Sequence, residues 1–415
     1  MTTDVDVLVV GAGPGGSAAA YHLARHGVDV LVVERSRFPR EKVCGDGFTP
    51  RGVRAMQDLG IDATEPGFTR IDGLRVYRGA RPLLELRWPD LNDYPSYGVV
   101  RTRHDFDDLL VQRAVKAGAV LWEETEALGP IIDDGWVTGA NVRRAADTDA
   151  EPETIRAKVV IAADGAASRF GGQAGVERDA NRPLGIAARR YYTTTREIGP
   201  WFESWLEMQD DEGRSFPGYG WIFPVGVGRM NVGAGLLNTF VGFRDLSAKR
   251  VFDVFGGMLS PEFEVTPEHE DGPVLSGPLP MGFNRRPAAQ PGLLLVGDAG
   301  GVINPFNGEG IAFAMDTGKL AAELVYGSLA SGHEGLAQIY PAMLQKRYGQ
   351  YYWIGRKFVG ALGHPEIMRL ATRYGLPRRG LMKFLLKLMT GLTDGDEGDW
   401  QDRLLHVLER MAPAA

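Results

Sequence analysis

The turn Gly11-Ala12-Gly13-Pro14-Gly15-Gly16 constrains this chain more than any other stretch, because of what stands on either side of it. Residues 5–10 are a short apolar run without alternation, as a strand buried on both faces requires, and residues 17–26 follow with an alanine-rich helical pattern. In the order strand, glycine turn, helix, Gly11 permits the tight bend, Gly13 lets a pyrophosphate approach the backbone, and Gly16 allows close helix–strand packing, with Gly15 in the same cofactor-binding turn. The helix N-terminus then faces an anion. A second strand is expected at 29–33, ending in Glu34, whose carboxylate is placed to accept from both hydroxyls of an adenosine ribose and would repel a 2′-phosphate. Arg35 follows it at the same edge.

With 415 residues the chain is long enough for two or three domains. Its net charge of -7 gives no reason to expect nucleic acid as a partner. No apolar run approaches the roughly 20 residues that span a bilayer, and residues 1–4 carry no signal-peptide pattern. The expectation is a soluble or peripheral protein. Cys44 is the single cysteine, which excludes an intramolecular disulfide and favours a reducing cytosol; seven scattered histidines show no metal-ligand spacing.

Further along, Thr49 and Pro50 suggest the cap and first turn of a helix at 51–59, and the glycines before them a loop. Strands are expected at 73–78 and 83–88 with a turn between, then a helix at 104–117. Residues 120–122, 131–132 and 136–143 suggest a small antiparallel layer, and 147–153 a polar loop. A third buried strand at 158–163 ends in Asp164-Gly165. Residues 181–280 change to strands rich in aromatics and arginine, an antiparallel sheet of a second domain. A fourth apolar run at 293–296 ends in Gly297-Asp298, and Asn307-Gly308-Glu309-Gly310-Ile311 opens a helix reaching about residue 330. The remainder is helical.

Several strand ends would thus bring their loops to one edge of a parallel sheet, where doubly wound folds bind cofactors. Asp298 can accept from a ribityl chain, Gly308, Gly310 and Ile311 offer backbone amides to a flavin ring, and Arg103 can pair with a diphosphate.

These motifs resemble the FAD fingerprints of p-hydroxybenzoate hydroxylase-like flavoproteins. More narrowly, residues 42–47, Tyr219-Gly220-Trp221-Ile222-Phe223-Pro224 with Val232-Gly233, and residues 304–311 resemble the geranylgeranyl reductase family. Within it, residues 44–51, 217–224 and 279–282 and the pair Asp399-Trp400 are most similar to the actinobacterial branch that saturates an isoprene unit of menaquinone. The resemblance implies an α/β fold: a Rossmann-like FAD domain from residues 1–75, 98–175 and 285–330, an inserted antiparallel substrate domain from 76–97 and 176–284, and a helical part from 331 to 415. It implies reduced FAD delivering hydride from N5 to an alkene while a proton is added to the other carbon.

The family places its matching cysteine beside the flavin, so Cys44, Gly45 and Asp46 are expected at the cofactor, with the Cys44 thiol either a proton source or a small packing residue. Tyr219, Trp221 and Phe223 share one strand face and are expected to line the prenyl channel, although core packing explains the same spacing. Residues 378–389 are basic and apolar, which suits a membrane interface at the inner face of the cell membrane; a buried helix with snorkelling lysines reads the same way. NAD(P)H or an electron-donor protein would supply the electrons; with no second dinucleotide turn in the sequence, NAD(P)H as donor would bind only transiently near the flavin. The rivals are a flavin hydroxylase, a halogenase, and a non-catalytic prenyl-lipid carrier. The absence of lysine between Lys42 and Lys116 weakens the halogenase.

Overall fold

A computed structural model describes residues 2–145, 151–209, 215–216, 218–240, 242–259, 261–333, 335–364, 366–367, 374–375, 378–394 and 398–413. Residues 147–150 of the expected polar loop, Pro217 of the aromatic motif and residues 395–397 lie outside them.

Thr2–Val10 runs through an eight-stranded sheet between Val30–Val33 and Glu153–Ala162, both parallel to it. Leu293–Leu295 and Val120–Trp122 extend the parallel set on either side. Val7 and Val9 pack toward the helices Pro14–Arg25, Arg103–Lys116 and Ile311–Ser331, while Leu8 and Val10 pack toward Val137, Ala140 and Val142. Apolar cover on both faces is why the sequence run shows no alternation.

Residues 120–122 depart from the expected antiparallel layer. The helix Arg103–Lys116 carries the chain back across the sheet before them, and a strand reached through such a crossover emerges parallel. The other two runs do pair antiparallel, as the longer strands Thr125–Asp133 and Trp136–Arg144. The helix expected at 17–26 starts at Pro14, whose fixed φ suits a first helical position, so Gly15 and Gly16 belong to its first turn. Gly47–Phe48 is no loop but a two-residue strand beside Gly98–Val100, too short to carry a periodic signal.

The second sheet has seven strands in the order Glu270–Pro280, Leu184–Thr193, Arg229–Leu237, Tyr219–Pro224, Trp201–Trp205, Gly73–Arg78 and Arg81–Arg87. It is antiparallel except where Trp201–Trp205 meets Gly73–Arg78; those two come from separate passes of the chain and run parallel. Two glycines shape its faces. Phe255 of the helix Ala248–Met258 sits over Gly220, where a Cβ would lie 2.2 Å from the ring, and Trp221 lies over Gly233 on the other face, where a Cβ would lie 2.1 Å away.

In the C-terminal part, Tyr340–Leu362 packs its tyrosines into the main core, and Arg379–Thr390 and Trp400–Met411 follow. Lys387 does not snorkel: it is buried, with Nζ 3.0 Å from both carboxylate oxygens of buried Asp402 and 3.0 Å from Asp399. Lys383 on the same helix is exposed. Among the described residues no helix is long and apolar enough to cross a membrane. Lys387→Met leaves the Asp402 carboxylate buried without its counter-charge, so urea unfolding should show a loss of about 3 kcal/mol. Lys383→Met should cost less than about 0.5 kcal/mol.

Candidate functional site

The glycine turn is built as its chemistry requires. Gly11 has φ 99°, and a Cβ there would meet the Ala163 carbonyl oxygen at 2.5 Å; a Cβ on Gly16 would lie 1.9 Å from the Gly11 carbonyl oxygen. Gly13 differs. A Cβ on it meets nothing within 4 Å, so its open side faces space a ligand can take. The helix that follows has no side-chain cap, which leaves its first N–H groups for an anion. Glu34 stands at the second strand end, held by the Ala12 N–H at 3.0 Å and the Ser36 N–H at 3.1 Å, and exposed Arg35 lies beside it at the rim.

The turn opens into a cavity of about 730 Å³ that reaches from Gly11, Gly13, Gly15, Glu34 and Arg35 to Tyr219, Trp221 and Phe223. Asp164, Asp298, Gly308, Gly310, Ile311, Cys44, Gly45 and Arg103 also border it. Three of these carboxylate and guanidinium groups differ in what holds them. Asp164 accepts from Ser168 Oγ at 2.8 Å and the Phe170 N–H at 3.0 Å, fixing its own turn. Arg103 donates to both oxygens of Asp107, at 2.6 and 2.7 Å. Asp298 makes no side-chain hydrogen bond among the described residues, and burial pushes its carboxyl up, with Lys42 and Arg103 opposing. An unpartnered carboxylate facing the cavity, the open Gly13 and the uncapped helix fit a flavin dinucleotide.

Asp46 departs from the expected cofactor contact. It does not line the cavity; it is fully buried at φ 64° and accepts from the Arg103 N–H at 3.1 Å, Tyr191 Oη at 2.5 Å and Asn231 Nδ2 at 2.8 Å. Asn231 also donates to the Cys44 carbonyl at 2.9 Å and accepts from Trp221 Nε1 at 3.0 Å. The Cys44 loop is thereby tied to the aromatic face. Gly45 allows this contact, since a Cβ on it would stand 3.2 Å from Phe223. Burial pushes the Cys44 thiol up, so the thiol holds its proton at neutral pH.

Tyr219, Trp221 and Phe223 do share one face, with ring centroids 5.8 and 6.2 Å apart in succession. The aromatic end of the cavity is completed by residues that sequence reading missed: Leu74 and Leu86 from the strand pair beyond Trp201–Trp205, Trp88 just after it, and Met382, Leu386 and Met389 from Arg379–Thr390. Their spacing reads as ordinary core. Glu309 was missed too. Thr49 Oγ1 donates to its Oε1 at 2.7 Å, its Oε2 has no hydrogen-bond partner among the described residues, and burial pushes the carboxyl up to about 7. Arg189 borders the cavity but is bonded to Glu41 at 2.7 Å, whereas Arg285 is turned onto the Ala166 and Ala167 carbonyls.

Comparison with known proteins agrees with this geometry. Residues 4–225 match the FAD binding domain family. The menaquinone reductase of Mycobacterium tuberculosis is 35% identical over 399 residues, covering 96% of this chain and 94% of that one. The digeranylgeranylglycerophospholipid reductase of Thermoplasma acidophilum is 31% identical over 379 residues, covering 88% and 90%. Among solved structures, a geranylgeranyl bacteriochlorophyll reductase-like protein of Thermoplasma acidophilum superposes with a TM-score of 0.75 at 26% identity, covering 98% of this chain and 100% of that one. The chain belongs to the FAD-binding flavoproteins and, within them, to the geranylgeranyl reductase family of oxidoreductases.

Proposed function

We propose that this flavoprotein saturates a carbon–carbon double bond of a prenyl chain, and that the chain is the isoprenoid tail of menaquinone. The observation that carries the reading is the continuity of the cavity: one space joins the dinucleotide turn to a lining of Tyr219, Trp221, Phe223, Leu74, Trp88 and Met382. The name of the Mycobacterium tuberculosis relative supports menaquinone over other prenyl carriers. Since such a substrate partitions into bilayers, the protein works in contact with the inner face of the cell membrane.

Gly11 to Gly16, Glu34 and Asp298 would hold the FAD, which supplies a hydride once reduced. An isolated isoprene alkene accepts hydride poorly unless a proton reaches its other carbon, so the protein must place an acid beside an otherwise dry chain. Cys44 is that acid in our reading: its proton stays on Sγ, and the Asn231 bond to its carbonyl holds the loop against Trp221. The aromatic face excludes water and orients the chain by contact alone.

Under strict anaerobiosis, with chemically reduced protein, menaquinone should gain the mass of one H2 that persists after the head group is reoxidised to the quinone, since only a saturated tail keeps those two hydrogens. A hydroxylase on this fold would instead show no conversion until oxygen is admitted. Cys44→Ala should lower single-turnover reduction of the alkene by roughly 10²-fold while FAD binding is unchanged. An unchanged rate would return Cys44 to packing alone.

The glycines separate cofactor binding from folding. Gly16→Ala should melt lower and purify without flavin, because the new methyl meets backbone at 1.9 Å; Gly13→Ala should melt like wild type when flavin-free and lose affinity for FAD only.

Glu309 sets a pH dependence in the flavin-free protein. Its folded carboxyl titrates near 7, above the ordinary value of 4.5, so the folded state holds the proton more tightly than the unfolded chain. The stability this contributes is complete below the ordinary value and is lost as pH rises through about 7. From about pH 5 to about pH 7.5 the melting temperature of wild type should therefore fall relative to Glu309→Gln.

A further inference from the structure

A surface helix ordinarily turns its apolar stripe inward. Trp400–Met411 does the reverse. Trp400, Leu404, Val407, Leu408 and Met411 recur at helical spacing on one face and are 65%, 41%, 49%, 38% and 77% exposed. The buried face carries Gln401, Asp402 and Leu405. Asp402 meets Lys387, and Gln401 Nε2 donates to the Gly380 carbonyl at 3.4 Å, so this helix is pinned to Arg379–Thr390 by its polar side. Arg379–Thr390 in turn lines the cavity with Met382, Leu385, Leu386 and Met389 and leaves Leu381 exposed at 43%. Leu405 packs into the main core, and Trp400–Met411 also meets Tyr340–Leu362, so the helix tied to the cavity-lining Arg379–Thr390 keeps its apolar stripe outward.

The charge around the stripe selects what covers it. Arg403 on this helix and Arg379 and Lys383 on the helix it is tied to are exposed, while the exposed carboxylate at the helix start, Asp399, is neutralised by Lys387 at 3.0 Å, in a chain whose net charge is -7. A cationic border around apolar side chains complements anionic head groups over acyl chains, and a tryptophan at the helix start suits the depth of that boundary. A second copy of the chain would bring the same cations face to face.

We propose that Trp400–Met411 lies in the interface of an anionic bilayer, its stripe among the head groups and its basic neighbours on lipid phosphates, and that the prenyl chain enters past Arg379–Thr390. The proposal rests on the prenyl-lipid reading above. It moves the apolar contact expected of residues 378–389 to the next helix, because Met382, Leu385, Leu386 and Met389 line the cavity, and leaves to 378–389 the basic contact.

The test uses the full FAD-bound chain in flotation with vesicles of equal parts phosphatidylglycerol and phosphatidylethanolamine. Wild type should float, and the double variant Leu404→Glu, Val407→Glu should bind at least about tenfold less while keeping its flavin. Lys383→Glu with Arg403→Glu should bind less and lose the salt sensitivity of wild type. On detergent-dispersed short-chain menaquinone the first variant should match wild type, and on vesicle-embedded menaquinone it should be slower by about tenfold. Equal flotation of wild type and the first variant would overturn the proposal, as would wild type failing to float. A dimer that the substitutions split, with vesicles ignored by both proteins, would overturn it in favour of self-association. If wild type reduces menaquinone in neither setting, the reductase reading falls, and flotation still decides the docking surface.

Discussion

The carboxylate of Asp46 is where the two halves of the site are joined. It receives the first amide of the Arg103–Lys116 helix from the cofactor side, and Tyr191 and Asn231 from the second sheet. Burial pushes its carboxyl up even though Tyr191 and Asn231 favour the charged form. A buried carboxylate that lost one of these donors would keep its desolvation cost and lose its compensation. Because Asn231 also carries Trp221 and the Cys44 carbonyl, the position of the loop, the tryptophan and the helix start are set by one shared network. Such networks couple their members more strongly than separate bonds do.

Around that junction the protein separates polar from apolar duties. The dinucleotide end offers backbone amides, Glu34 and Asp298; the far end offers rings and aliphatic side chains from several strands of the second sheet and a C-terminal helix. Gly220 and Gly233 make the second sheet thin enough for Phe255 to fill one face and Trp221 to lie along the other. Rigid packing on the outer face holds the inner one in shape.

How much of this was legible depends on how local each feature is. The glycine turn was readable because the constraint acts within a few residues of itself: Gly11 and Gly16 are required by one tight bend. The alternation of Tyr219, Trp221 and Phe223 was readable for the same reason. Asp46 looked like part of a cofactor loop, since its partners Tyr191 and Asn231 lie 145 and 185 residues away. Glu309 is held by Thr49 from 260 residues away. Lys387 appeared to be a snorkelling lysine because its partner Asp402 belongs to the next helix, and spacing alone does not tell which side of Trp400–Met411 faces outward.

The lining of the aromatic end has a kinetic consequence. Saturating one isoprene bond adds two hydrogens and changes neither the head group nor the bulk of the chain, and a wall of rings and aliphatic groups has no hydrogen bond with which to tell the two apart. Apolar contact distinguishes ligands that differ by a whole methylene by only about 1–3 kcal/mol, and these differ by less. The reduced lipid is therefore held nearly as well as the lipid it came from. Accumulated product then competes for the site on almost equal terms.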